Sequence, residues 1–248
     1  MSAIYILWLR QIKRYFRSRP RIIASLGQPL LFLLALGFGF GPIFQQAGQG
    51  SYIQFLAPGV ISMSILFTAI FSGIELIWDR QFGFLKETMV APVPRILIMA
   101  GRTLGGATVA LFQGLIVVVI CLAAGFRISS PAGLPAGLLF MVLVAVMFTA
   151  LGTAIASVLS DFQGFQLVMN FLVMPIFFLS GALFPLTGLP KVLSVIASLD
   201  PLTYGVDGLR GALIAQAHFG IALDVAVLGA IAALLLAAGA YLFSRIQL

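Results

Sequence analysis

The chain has 248 residues, is 61% hydrophobic and only 8% charged, and has a mean hydropathy of +1.15, which excludes a water-soluble globular domain. Its net charge of +7 comes from basic residues clustered at the boundaries of apolar runs. That distribution reads as the positive-inside pattern with attraction to anionic lipid, and it excludes a nucleic-acid surface. The single cysteine, Cys121, lies inside an apolar run, so no intrachain disulfide forms and the residue is one of packing. No loop is long enough to hold a separate soluble unit, and one membrane domain over residues 1–248 is expected.

Residues 4–21 form the first element. At about 100° per residue, Ile4, Tyr5, Trp8, Leu9, Ile12, Tyr15 and Phe16 share one arc, and Arg10, Lys13, Arg14 and Arg17 fall on the other. This predicts an interfacial amphipathic helix lying flat, with aromatic rings at headgroup depth and cations toward phosphate. Pro20 breaks the helix between Arg19 and Arg21, which extend the basic block. The apolar run that follows is too long for a signal sequence, so no cleavable signal is expected.

Five spans are read over residues 22–184. The first covers 22–44, with Gly37 and Gly41 at the spacing of a close-approach motif, followed by a short uncharged polar loop. The second covers 52–78 and includes Pro58 and Gly59 near its start and Glu75 near its end. Glu75 is either a proton or cation site or a boundary acid paired with Arg80 or Lys86, and the second reading is adopted.

Residues 79–95 then hold three basic and two acidic residues between two long apolar runs. Lipid rejects so many charges, so the stretch lies in water or against another protein. Its first half suits a short helix, and Pro92 and Pro94 end it. A docking element on the cytoplasmic side is expected.

The third span covers 96–126 and begins with Arg102 among Gly101, Gly105 and Gly106. The fourth covers 136–159, where Gly152 and Ala156 offer a close-packing face. A polar return at 161–164 leads to the fifth, 165–184, with Asn170 as a candidate for interhelical hydrogen bonding. Residues 185–218 are too broken by proline and glycine to span, with Asp200-Pro201 at a helix boundary. Two short external re-entrant helices are predicted there, and residues 221–243 form the last span. The fold class expected is therefore an all-α polytopic membrane protein with six transmembrane helices.

Six crossings put both termini on one side. That side holds Arg10, Lys13, Arg14, Arg17, Arg19, Arg21, Arg80, Lys86, Arg95, Arg102 and Arg245 of the fourteen Lys and Arg residues, against Arg127, Lys191 and Arg210 on the other. Both termini are accordingly cytoplasmic.

The sequence lacks the GxxxxGK[ST] phosphate loop, and its lone His218 has no metal-ligand or triad neighbours. The chain is not expected to be an enzyme, to bind a cofactor or metal, or to catalyse by itself. Such a protein takes its energy from a partner. A self-sufficient secondary transporter or channel is the alternative, and a non-transporting assembly factor is a third reading.

Three runs carry a family resemblance: Leu85 to Pro94 (LKETMVAPVP), Ser180 to Pro185 (SGALFP) and Leu199 to Arg210 (LDPLTYGVDGLR). With them the whole chain resembles the type-2 ABC transporter permeases, in the branch of daunorubicin-resistance and nodulation-lipooligosaccharide export permeases. The resemblance implies a homodimer, or a heterodimer with a second permease, above two ABC-type ATPase subunits that hold ATP and Mg. It implies export of a drug, lipid or lipid-linked saccharide from a bacterial inner membrane, and the Phe-rich spans favour a hydrophobic or amphipathic cargo.

In that family's terms residues 4–21, with Trp8, Arg10, Lys13, Arg14, Tyr15 and Arg17, match the interfacial elbow helix. The stretch after the second span would be the coupling helix. Phe82, Phe84 and Leu85 would fill a pocket of the ATPase, with Arg80, Lys86 and Glu87 at the rim. Residues 185–218, with Asp200, Pro201, Tyr204, Asp207 and Arg210, would match the external re-entrant helices.

Overall fold

A computed structural model describes residues 2–46, 50–90, 92–159 and 161–245, so Ala91 of the polar stretch lies outside the described residues. Among the described residues the secondary structure is helical, with no strand. The α-helices are α1 (Ser2–Arg17), α2 (Arg19–Gly39), α3 (Gly41–Gln46), α4 (Tyr52–Phe71), α5 (Ile74–Gln81), α6 (Phe84–Val90), α7 (Arg95–Ala123), α8 (Leu134–Val158), α9 (Phe162–Leu179), α10 (Lys191–Leu199), α11 (Pro201–Ile214) and α12 (Ile221–Ser244). Among the described residues six segments are long and apolar enough to cross a membrane: α2, α4 with α5, α7, α8, α9 and α12. The all-α polytopic fold is as the hydropathy predicts.

The second crossing is the centre of the bundle. Of its most apolar window 78% is buried, against 17% for α2, 22% for α9 and 17% for α12, so those three helices present their faces outward. α4 packs against α2, α7, α8 and α11, while α12 lies along α8. Gly73, at the α4–α5 break, and Gly152 on α8 permit a close approach of backbones, because a Cβ on Gly73 would strike the Gly152 carbonyl and one on Gly152 would strike that of Ile70.

Several boundaries differ from those read in the sequence, and the first crossing, read over 22–44, ends at Gly39, with the short α3 following. Pro20 opens α2 at its first turn instead of only ending α1, since proline lacks just the N–H that a first helical turn leaves unpaired. The second crossing is interrupted at Ser72-Gly73, so α5 is a separate two-turn piece that can be aimed independently. The fifth crossing stops at Leu179, five residues early. Gly181 there takes φ +70°, and Arg210 donates a hydrogen bond to its carbonyl at 3.1 Å, which turns the chain out of the helix.

The polar groups gather at two ends. Arg10 meets Asp79, and Arg95 at the start of α7 reaches the Ser244 carbonyl at the end of α12. At the other end Ser129 N–H reaches the Leu213 carbonyl, and Asp207 on α11 holds the turn into α12. The clustering of cations in the first group is thus a property of the fold as well as of the sequence.

Candidate functional site: a charged junction between the amphipathic helix and the polar stretch

The junction is built on α1, α5, α6 and the first turns of α7. Glu75 and Asp79 stand four residues apart on α5, which places both carboxylates on one helix face. Both are 6% exposed. Buried carboxylates need charged partners, and here they come from two other elements.

Arg10 on α1 donates two hydrogen bonds to Asp79, at 3.2 and 3.0 Å to its two oxygens. This is the fork-to-carboxylate geometry that guanidinium supplies and ammonium does not. Arg102, 5% exposed on α7, donates to Asp79 Oδ2 from the other side. Arg14 lies 3.8 Å from Glu75 and 3.9 Å from Asp79. Two acids therefore face three guanidinium groups, and the excess charge is positive.

The same Arg10 also touches α6, with its guanidinium carbon 3.7 Å from the Phe84 ring centroid. Arg14 lies 5.6 Å from the Trp78 centroid, and Trp78 stacks on Phe162 of α9. α1 is therefore connected to α5 and α6 by charge and by ring faces at once.

α1 can come this close because α7 presents Gly101 and Gly105 beneath it. A Cβ on Gly105 would sit 2.7 Å from Gln11 Cβ, and one on Gly101 would sit 3.0 Å from Leu7 Cβ. Trp8 Nε1 donates to Thr108 at 3.0 Å, and the Tyr15 hydroxyl donates to Gln113 Oε1. The reading of α1 as a helix with rings among headgroups and cations toward phosphate is thus corrected in part. Tyr15 is buried against protein, and Arg10 and Arg14 turn to carboxylates. Lys13 and Arg17 remain exposed.

The polar stretch divides in the same way. Gly83, at φ +79°, immediately precedes α6, and Pro92 and Pro94 follow its end. Phe82 is 83% exposed, with Lys86 and Glu87 also exposed. Leu85 is 0% exposed, however, so it packs into this chain's own core and is withdrawn from the set that could fill a partner's pocket. Phe84 is half-buried under Arg10, and Arg80 lies 3.4 Å from the Leu159 carbonyl. Glu75 is bridged by Arg14 and not by Arg80 or Lys86, because α5 turns its acidic face to α1.

Asp79, Arg102 and Gln113 take part here although nothing in the sequence singled them out as a site. One signal was present: no acid occurs before Glu75, and the next, Asp79, follows at helical spacing.

At the opposite end the polar residues of the segment read as re-entrant are held by backbone groups and by α4. Asp200 caps α11 by accepting from Leu202 N–H at 2.9 Å, and Pro201 occupies the first turn. The Tyr204 hydroxyl donates to the Ser198 carbonyl at 2.7 Å, and Asp207 accepts from the N–H groups of His218 and Phe219 at 2.8 Å. Arg210 lies 4.1 Å over the Phe55 ring. Burial pushes the Asp200 carboxyl up to about 7, opposed by the Leu202 N–H, and brings Arg210 down to about 10, opposed by Asp207. Asn170, on α9, is exposed.

Between α2 and α4 lies a cavity of about 300 Å³ whose lining includes Ser25, Gln28, Met63, Ser64, Phe67 and Thr68. It carries no formal charge. Ser64 Oγ is buried without a hydrogen-bond partner, and Pro29 has no N–H to return to the Ser25 carbonyl.

Comparison with known proteins gives a consistent result. Residues 2–214 match the family model described as ABC-2 type transporter. The chain is 34% identical over 219 residues to the putative transport permease ycf38 of Pyropia yezoensis, covering 85% of this chain and 73% of that protein. It is 29% identical over 211 residues to the inner membrane transport permease YadH of Escherichia coli strain K12, covering 84% and 81%. It is also 29% identical over 210 residues to nodulation protein J of Rhizobium leguminosarum bv. trifolii, covering 83% and 76%.

Proposed function

This chain belongs to the ABC-2 type transporter family, and we propose that it is the membrane subunit of an ATP-driven exporter whose energy comes from a separate ABC-type ATPase. The observation that carries the reading is the α5–α6 segment. Phe82, Lys86 and Glu87 are presented outward, while Asp79 and Leu85 anchor the segment to the bundle. A docking helix needs both properties, because a contact that moves without its anchor transmits nothing to the spans.

The ATPase holds ATP and Mg, and both termini and α6 face it in the cytoplasm of a cell whose inner membrane contains the permease. The functional unit pairs two permease copies, for which the outward faces of α2, α9 and α12 leave room. The cargo is hydrophobic or amphipathic: a drug, a lipid or a lipid-linked saccharide. The uncharged, partly hydroxylated cavity between α2 and α4 suits such a molecule better than an ion.

The test is reconstitution. The chain alone hydrolyses no ATP, whereas with an ATPase produced beside it, cysteine at Phe82 cross-links to that subunit and substrate moves only with ATP. Substrate movement by the chain alone under an ion gradient would replace this reading with that of a secondary transporter.

A further inference from the structure

A groove of about 800 Å³ runs along the outer side of α1 into the start of α2, lined by Ile6, Leu9, Arg10, Lys13, Arg14, Arg17, Ser18 and Pro20. We propose that this groove binds the phosphate headgroup of an anionic membrane lipid. The inference is independent of the ATPase reading, because it concerns what the permease holds by itself.

Charge is the first reason. The four cations stand at positions 10, 13, 14 and 17, which is one face of a helix. No acidic residue occurs before Glu75, so nothing on α1, α2, α3 or α4 offsets them. Counting those four and Arg102 against Glu75 and Asp79 gives 5 − 2 = +3 at the junction. Lys13 and Arg17 are the exposed members, and neither has an ion-pair partner among the described residues.

Backbone geometry is the second reason. α2 begins inside the groove at Ser18, whose side chain makes no capping hydrogen bond, and Pro20 stands in its first turn. The positive end of a helix of 21 residues and an unengaged hydroxyl thus converge on the space the cations surround. An anion with several acceptor oxygens satisfies all of them at once.

The third reason selects lipid over free phosphate. The groove walls also carry Ile6, 61% exposed, with Leu9 and Pro20. The first membrane-crossing window starts at Ile22, immediately beyond. A molecule with phosphate at one end and acyl chains at the other matches both surfaces, whereas a free phosphate leaves the apolar wall uncovered. Because Arg10 and Arg14 also hold Asp79 and Glu75, a bound headgroup shares cations with the anchor of α5 and α6. The lipid thereby enters the same electrostatic balance that positions the polar stretch.

The test uses the whole permease in phosphatidylcholine nanodiscs carrying a small fraction of acyl-brominated lipid. Tryptophan fluorescence is the readout, since the two tryptophans are Trp8 on α1 and Trp78, which lies against Arg14. Brominated phosphatidylglycerol is expected to quench saturably at low mole fraction, and brominated phosphatidylcholine only in proportion to its amount. At about 1 kcal/mol per cation at the membrane surface, K13Q/R17Q should raise the mole fraction needed roughly tenfold or more, and K13R/R17K should leave it near the starting value.

Equal quenching by the two lipids overturns the proposal. So does K13Q/R17Q binding like the unaltered chain while its circular dichroism is unchanged. Millimolar inorganic phosphate relieving the quenching would mark a free-anion site and overturn the assignment to lipid.

Discussion

Arg10 stacks on Phe84 with its guanidinium carbon 3.7 Å from the ring centroid, and the same guanidinium grips Asp79 through both carboxylate oxygens. One side chain of the amphipathic helix thus joins α5 to α6, across the turn that carries the exposed Phe82. Arg10→Lys keeps the charge but loses the fork and most of the stacking. It should cost about 1–3 kcal/mol of junction stability, seen as a lower melting temperature and as lower transport per ATP hydrolysed.

Asp79 is the one acid that Arg10, Arg14 and Arg102 all approach. Asp79→Asn leaves guanidinium groups without a counter-charge, Arg102 at 5% exposure among them. Removing one member of a buried ion pair costs about 3–5 kcal/mol, so this variant should be poorly folded in detergent. Pairing it with Arg102→Met should restore part of the melting temperature, because the stranded charge goes with it.

Phe82 and Leu85 separate docking from folding. Phe82→Asp changes an exposed ring and should leave the melting temperature unchanged while abolishing copurification of the ATPase. Leu85→Asp buries a carboxylate in the core and should lose folded protein altogether. Normal ATPase capture by Phe82→Asp would remove the α5–α6 turn from the docking role.

Gly105 tests the seat of α1. A leucine there meets Gln11 at overlapping distance, and overpacking of this kind costs about 1–3 kcal/mol. The expected sign of a displaced α1 is faster protease cleavage after Lys13 and Arg17, with the helical content of the bundle retained.

Asp200 gives the pH dependence. Its carboxyl is raised by burial to about 7, above its unfolded value of 3.8. The folded state therefore holds the proton more tightly. Stability contributed at this site is complete below about 4 and falls as pH rises toward 7. Asp200→Asn keeps an acceptor for the Leu202 N–H and carries no charge. Its melting temperature should match that of the unaltered chain near pH 4 and exceed it by a few degrees at pH 8.

Much of the fold was legible in the residues. Long apolar runs separated by polar breaks located all six crossings, and Asp200-Pro201 marked the α10–α11 boundary because side chain and ring both act on adjacent backbone. The ends of the helices were less legible. The stop at Leu179 depends on Arg210 binding the Gly181 carbonyl from 29 residues away. At the junction, the periodicity of α1 separated its cations from its rings. It could not tell Arg10 and Arg14, which are paired, from Lys13 and Arg17, which have no ion-pair partner among the described residues.

The sequence by itself determined the membrane class, the number of crossings and which end gathers the positive charge. Those properties are sums over about 20 residues of local hydropathy and charge, and no packing detail alters them. Tertiary structure alone decided that Leu85 faces inward, that Phe82 faces outward, and that Asp79 is held by Arg10 from 69 residues away. Ion pairing at that separation depends on how closely two helices approach, and here α1 reaches α5 because Gly101 and Gly105 of α7 leave it room.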